Sequence, residues 1–114
     1  MSGITTHVLD TARGLPAADL AVTLERLAEN GTPAEVGRGR TDPDGRARAL
    51  VPEGTDVMPG RYRLRFDTGT WFARQSIQGF FPQVTVEFEV REAGGHCHVP
   101  LLLSPHGYST YRGS

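Results

Sequence analysis

The feature of this chain that most constrains its fold is a strict alternation of apolar and polar residues between residues 84 and 90. Successive side chains of an extended strand point to opposite faces, so a period of two predicts a strand with one buried and one solvated face. Residues 61–66 repeat the pattern, with arginines alternating with Tyr62, Leu64 and Phe66. Less regular segments that we also expect to be strands are 4–9, 20–27, 35–41, 46–51 and 97–103.

Turn-forming residues separate these segments, as in Asn30-Gly31-Thr32-Pro33, Asp42-Pro43-Asp44-Gly45 and Ala93-Gly94-Gly95. Strands that recur roughly every ten residues between such turns are typical of an antiparallel β-sandwich rather than of alternating strands and helices. We therefore expect an all-β sandwich of two sheets and about eight strands. A chain this short has room for one core, so a single domain over residues 1–114 is expected.

Two segments have helical features. Polar residues able to cap a helix precede residues 70–77, and Gly79 and Pro82 follow them, which predicts one short helix near residues 70–77. The leucines of residues 20–30 also fit one face of a helix. The β-branched residues between those leucines favour a strand there instead, because such side chains pack well in sheets.

Composition excludes several classes of partner. Twelve lysine and arginine residues nearly balance thirteen aspartate and glutamate residues, so the formal net charge of −1 would gather neither nucleic acid nor anionic lipid. No apolar stretch approaches the ~20 residues of a membrane span, and the N-terminal residues lack the pattern of a secretion signal. The single cysteine, Cys97, cannot form an internal disulfide. We expect a cytoplasmic protein without nucleic-acid or membrane partners.

A pair of histidines, His96 and His98, flanks the cysteine. If this segment is extended, both histidines share one face while Cys97 points to the core side. Three interpretations stay open from these residues alone: a zinc site completed by His7, an inert solvated pair, and acid/base catalysis near the unperturbed imidazole pKa of about 6.5. No carboxylate or cysteine with matching spacing is apparent, which disfavours the metal. The roles of His96 and His106 stay undetermined.

Four further polar residues are candidates for a site, although each also has a simpler interpretation. His7 shares one face of a predicted strand with Thr5 and Leu9, and a histidine there is commonly a hydrogen-bonded structural residue. Arg46 follows a turn and can be merely exposed, but a guanidinium beside a pocket binds anionic or carbonyl-rich ligands through paired N–H donors. Tyr111 and Ser114 lie in the last residues of the sequence, where chains often fray.

Three longer segments carry a resemblance to a known family. They read Ile4-Thr5-Thr6-His7-Val8-Leu9-Asp10, Asp42-Pro43-Asp44-Gly45-Arg46, and His96-Cys97-His98-Val99-Pro100-Leu101-Leu102-Leu103-Ser104-Pro105 with the following Gly107-Tyr108-Ser109-Thr110-Tyr111-Arg112-Gly113-Ser114. On these residues, and over essentially its whole length, the chain resembles the transthyretin-related 5-hydroxyisourate hydrolases of purine catabolism. Its Tyr111-Arg112-Gly113-Ser114 is similar to the tetrapeptide that separates these hydrolases from transthyretin. Cys97 and His106 stand where the family has aromatic residues, but neither is a transferred position.

The resemblance implies a transthyretin-like sandwich assembled as a homotetramer, a dimer of dimers, with active sites in the channel where the dimers meet. It implies hydrolysis of 5-hydroxyisourate to 2-oxo-4-hydroxy-4-carboxy-5-ureidoimidazoline in urate degradation, without metal or cofactor. The positions implied to be catalytic are His7, Arg46, His98, Tyr111 and, as a fifth, Ser114. Of these, His7, Arg46 and Tyr111 would also bind the substrate, and which histidine is the general base stays open. The alternative is a transthyretin-like protein that binds a hormone or metabolite without catalysis.

Overall fold

A computed structural model describes residues 3 to 114, so the first two residues of the expected 1–114 domain lie outside the described part. In chain order its strands are β1 (Gly3–Asp10), β2 (Leu15–Pro16), β3 (Ala21–Leu27), β4 (Pro33–Arg40), β5 (Arg46–Ala47), β6 (Gly60–Phe66), β7 (Val84–Val90), β8 (His96–His98), β9 (Leu101–Ser104) and β10 (Gly107–Thr110), with helix α1 (Thr68–Ala73) between β6 and β7. They form a four-stranded sheet of order β4-β3-β6-β7 and a six-stranded sheet of order β10-β9-β1-β2, in which β5 and β8 also pair with β1. The expected all-β sandwich with one short helix is confirmed. The strands outnumber the expectation because β2, β5 and β8 are pieces of only two or three residues.

The four-stranded sheet contains both clearly alternating segments, as β6 and β7, and is antiparallel throughout. In β6, Tyr62, Leu64 and Phe66 are buried, while the arginines between them stay accessible to solvent. The segment 20–27 contains β3, so its interpretation as a strand rather than a helix is confirmed. The buried side chains of both sheets form one apolar cluster, and removing that surface from water is the main force that holds the sheets together.

The six-stranded sheet departs from the antiparallel expectation around its central strand. Strand β1 pairs antiparallel with β2 and β5 but parallel with β8 and β9. Parallel pairing requires a long connection, and the whole four-stranded sheet lies between β1 and β8 in the chain. The alternation within a strand carries no information about the direction of so distant a partner.

Two expected strands are shorter or divided. Of residues 46–51, only Arg46–Ala47 pair with β1, and the chain then turns so that Leu50 enters the core with 1% of its surface exposed. The expectation of a strand beyond Ala47 was therefore wrong. Residues 97–103 are divided between β8 and β9 near Pro100, which has no N–H to donate to a sheet.

Helix α1 lies slightly earlier than the expected region near residues 70–77. It stops at Ala73 because Ser76 takes a left-handed backbone φ of 58°, and the N–H groups of Ser76 and Ile77 bond to carbonyls of the last turn. This is a Schellman cap, whose left-handed position is usually glycine, so the serine gave no stop signal in the sequence. Within residues 3 to 114 no helix is long and apolar enough to cross a membrane.

Candidate active site

The outer face of β1, which points away from the core, carries the first two side chains of the candidate site. Ile4, Thr6 and Val8 of this strand are buried, whereas Thr5 and His7 are half-buried on the opposite face. This is the alternation expected from the sequence. His7 therefore stands on a surface that packing of the core leaves available.

Two flanking strands bring further side chains to the same face. Strand β5 places Arg46 opposite His7, and strand β8 places His98 opposite Thr5. Side chains of directly paired residues project to the same side of a sheet and lie close together. Thr5, His7, Arg46 and His98, far apart in sequence, thus form one group, which we call the β1 cluster.

The loop that precedes β5 fixes the ring of His7. The backbone carbonyl of Asp44 lies 2.8 Å from Nε2 of His7, and because a carbonyl only accepts, Nε2 carries the hydrogen. The carboxylate of Asp42 holds the loop by accepting hydrogen bonds of 2.9 Å from the N–H groups of Asp44 and Arg46. These bonds, that from Arg46 first, keep the pKa of Asp42 below its usual value. The other ring nitrogen of His7, Nδ1, is left to accept a proton.

His98 is held by contacts on two sides. The hydroxyl oxygen of Thr5 lies 2.8 Å from Nδ1 of the ring. The N–H of Gly113 donates to the backbone carbonyl of His98 at 2.8 Å. A Cβ at position 113 would stand 2.6 Å from Cδ2 of the ring, so only glycine allows this approach. The Tyr111-Arg112-Gly113-Ser114 segment is thereby attached to the β1 cluster through its glycine.

The β1 cluster is electrostatically positive. Burial, and after it the charges of Arg46, His7 and His96, lowers the pKa of His98 below the ordinary imidazole value. None of the ion pairs between residues 3 and 114 involves Arg46. The cluster therefore suits a ligand with negative charge or carbonyl oxygens, and His98 is neutral at neutral pH and able to take a proton.

The other candidate residues lie outside the β1 cluster of this chain. Tyr111 is 56% exposed and lines a groove beside β7 together with His96, while Ser114 and His106 are exposed. Across the described chain no hydrogen bond joins Tyr111 or Ser114 to the cluster. The described residues also contain no group of three or more His, Cys, Asp or Glu side chains arranged to hold a metal ion. The zinc interpretation with His7, His96 and His98 thus has no geometric support among the described residues.

Three residues that shape the β1 cluster were not singled out from the sequence: Thr5, Asp42 and Gly113. The available signal for Thr5 was its place two residues before His7, on the same face of a predicted strand. Asp42 opens an Asp-Pro-Asp-Gly turn, and aspartate at that position commonly accepts backbone hydrogen bonds. No local signal pointed to Gly113, because its contact with His98 exists only in the folded chain.

Residues 4–113 match the family model described as the HIUase/Transthyretin family. The 5-hydroxyisourate hydrolase of Salmonella dublin is 46% identical over 111 residues, which cover 97% of this chain and 80% of that protein. The solved structure of Klebsiella pneumoniae 5-hydroxyisourate hydrolase aligns with a TM-score of 0.85 and 36% identity over 100% of both chains. Transthyretin from Sparus aurata aligns with a TM-score of 0.89 and 29% identity over 99% of this chain and 97% of that one. On the family match and these relatives, the chain belongs to the HIUase/Transthyretin family.

Proposed function

We propose that this protein hydrolyses 5-hydroxyisourate to 2-oxo-4-hydroxy-4-carboxy-5-ureidoimidazoline, a step of urate degradation, with residues 1–114 as one hydrolase domain. The observation that carries the proposal is the β1 cluster, in which two imidazoles and a guanidinium meet on one polar face. The relatives named 5-hydroxyisourate hydrolase support the choice of substrate. The proposed catalytic residues are His7, Arg46, His98, Tyr111 and Ser114.

Arg46 supplies the electrostatic part of the proposed reaction. Its guanidinium can hold carbonyl oxygens of the substrate through paired N–H donors. When water adds to C6 of the substrate ring, the carbonyl oxygen becomes negatively charged. A cation already fixed beside that oxygen stabilises this charge most strongly in the transition state, which lowers the barrier.

The imidazoles of His7 and His98 carry the proton transfers. A neutral imidazole removes a proton from water as the water oxygen forms its bond to C6. The tetrahedral intermediate then collapses, the C6–N1 bond breaks, and the proton passes to N1, which opens the ring. The lowered pKa of His98 keeps its ring neutral, which favours His98 as the base. His7, whose Nε2–H donates to Asp44, offers Nδ1 as the second acceptor for a proton.

We further propose that the protein is a homotetramer, a dimer of dimers, whose central channel contains the sites. Strands β7 and β10 are edge strands of their sheets and line one groove together, and native proteins generally cover such edges. Tyr111 beside β7 would then be fixed in an interface and face the substrate. Sedimentation equilibrium tests this proposal, with an expected mass four times the 12.4 kDa of one chain.

A cytoplasmic location is also proposed, because Cys97 is a free thiol and disulfides are typical of oxidising compartments. Fractionation of cells that produce the protein checks this proposal. The non-catalytic alternative, a transthyretin-like binding protein, is less well supported. An apolar channel would suit an aromatic ligand, whereas the β1 cluster offers His7, Arg46 and His98.

The decisive experiment follows the ultraviolet absorbance of freshly generated 5-hydroxyisourate. Purified protein is expected to accelerate its disappearance to the same extent with and without excess chelator. No acceleration would contradict the proposed hydrolysis. Tight binding of a thyroid-hormone-like ligand without turnover would favour the binding protein, and inhibition by chelator would favour the zinc hydrolase.

A further inference from the structure

The hydroxyl of Thr5 lies between two imidazoles. Its oxygen is 2.8 Å from Nδ1 of His98 and 3.5 Å from Nε2 of His96. The first distance is that of a strong hydrogen bond, and the second is at the weak limit. Both histidines belong to β8, whose parallel register with β1 places Thr5 opposite His98. The three groups therefore form a row in which the hydroxyl can contact both rings.

The direction of the hydrogen bond between Thr5 and His98 decides what His98 can do. A neutral imidazole carries one hydrogen, and the partner of one ring nitrogen determines which nitrogen keeps it. If Nδ1 donates to the hydroxyl oxygen, Nε2 holds a lone pair that can accept a proton. If the hydroxyl donates to Nδ1, Nε2 carries the hydrogen and cannot be a base. His96 favours the first arrangement, because its Nε2 offers the hydroxyl hydrogen a different acceptor.

We infer that Thr5 is a positioning residue, whose hydroxyl accepts a hydrogen bond from Nδ1–H of His98 and so keeps Nε2 of that ring available to take a proton from water. The inference deepens the proposed hydrolase function, and only its catalytic part rests on that function. It assigns the exposed His96 a part as acceptor of the hydroxyl hydrogen. The proton that His98 takes returns to the substrate, so Thr5 keeps its bonds and charge during turnover.

The other groups that face His98 act on its charge rather than on its tautomer. Arg46 from β5, His7 from β1 and His96 from β8 each disfavour its protonated form. Gly113 brings only backbone to the contact. The Thr5 hydroxyl is neutral, so its removal changes which nitrogen carries the hydrogen more than it changes the affinity of the ring for a proton. Loss of Thr5 should lower the maximal rate, whereas loss of Arg46 should also move the pH profile.

Substitution of Thr5 tests this inference. Thr5→Val keeps the β-branched shape without the hydroxyl, and Thr5→Ser restores the hydroxyl without the methyl group. Nitrogen NMR of the substrate-free protein reports the tautomer of His98, and we expect the hydrogen on Nδ1 in wild type and Thr5→Ser but on Nε2 in Thr5→Val. In turnover of 5-hydroxyisourate, Thr5→Val should lose kcat by about ten- to a hundredfold with little change in KM. Thr5→Ser should recover most of the rate.

Thr11→Val is the matched control, because the Thr11 hydroxyl donates to the carbonyl of Leu103 at 3.2 Å, outside the β1 cluster. It should leave both the tautomer and kcat unchanged. A hydrogen on Nε2 of His98 in the wild type, or an unchanged tautomer in Thr5→Val, would overturn the inference whatever the activity. If the tautomers are as expected but the wild-type protein does not hydrolyse 5-hydroxyisourate, the positioning role of Thr5 is supported and only the proposed function is contradicted. If circular dichroism shows Thr5→Val unfolded, Thr5→Ala serves in the same NMR comparison.

Discussion

The outer faces of the two sheets both carry arginine, but only one of them pairs it with acid. On the four-stranded sheet, Glu25 is only 8% exposed and lies 2.8 Å from Arg63 and 3.6 Å from Arg65. On the six-stranded sheet, Arg46 has no carboxylate partner within residues 3 to 114. Arginine forms direct ion pairs where it joins strands, whereas Arg46 at the β1 cluster interacts with the carboxylate of Asp42 only at longer range. Its guanidinium is therefore free to pair with a substrate that develops negative charge.

Deletion of residues 111–114 should have the largest effect. It removes Tyr111, Ser114 and the contact of Gly113 with His98, so turnover of 5-hydroxyisourate should be abolished. The strands all lie upstream, so circular dichroism should remain that of the intact sandwich. Gly113→Ala is a milder companion, because its Cβ would displace the His98 ring. Full activity in the truncated protein would show that residues 111–114 do not contribute to the active site.

His98→Ala should come next. Loss of a positioned acid or base lowers rates by about a hundred- to ten-thousandfold, and kcat should fall within that range. The oligomer and the circular dichroism should match the wild type, since His98 is half-buried at the edge of the core rather than inside it. If the variant unfolds while activity per folded molecule persists, His98 is structural.

Arg46→Gln should lower kcat by about a hundred- to a thousandfold, the usual loss when one stabilising donor of an oxyanion is removed. It should also raise the pKa of His98, because Arg46 has the largest effect among the charges that disfavour the imidazolium. NMR titration of His98 measures that shift, and the acid limb of the rate profile should move to higher pH. An unchanged titration would mean that the two groups do not interact.

Glu25→Gln should lower stability and leave turnover unchanged, whereas substitutions in the β1 cluster should lower turnover and leave the fold intact. Loss of a hydrogen-bonded charge at this shielded position should cost about 1 to 3 kcal/mol in the free energy of unfolding. Glu35→Gln is the matched control, because its partner Arg38 is 73% exposed and the pair should contribute nothing measurable. If urea unfolding shows the same loss of unfolding free energy in both variants, the ion pairs of Glu25 stabilise the fold no more than the exposed pair of Glu35 does.

The sequence predicted most reliably what depends on alternation within a strand. The buried and accessible faces of β1, β6 and β7 follow their period of two, and that period also set His7 on the face opposite Ile4, Thr6 and Val8. The length of β5 and the stop of α1 depended on contacts that no local pattern contains. Leu50 leaves the sheet for the core, and Ser76 takes a conformation usually reserved for glycine.

The residues of the candidate site were predicted from the family resemblance more than from their physical properties in the sequence. Residues alone left His96 and His98 open to three interpretations, because a pair spaced by two on a strand is compatible with each of them, although the lack of further ligands disfavoured the metal. The parallel register that sets Thr5 beside His98 joins segments almost a chain length apart, and the contact of Gly113 with His98 depends on how the chain folds back after β10. The roles of Tyr111 and Ser114 stay predictions, since they depend on the proposed tetramer.

The hydrogen bonds to Asp42 determine whether activity in acid is lost through the loop before β5 or through the imidazoles. A carboxylate whose folded pKa is lowered contributes stability that is complete above its unfolded value of about 3.8 and is lost only as pH falls towards the folded value. The carbonyl of Asp44 therefore stays directed at His7 throughout the range, near 6.5, in which imidazoles ordinarily titrate. A fall of activity in mild acid should then report protonation of His98 on an intact scaffold, and it should reverse fully when the pH is restored.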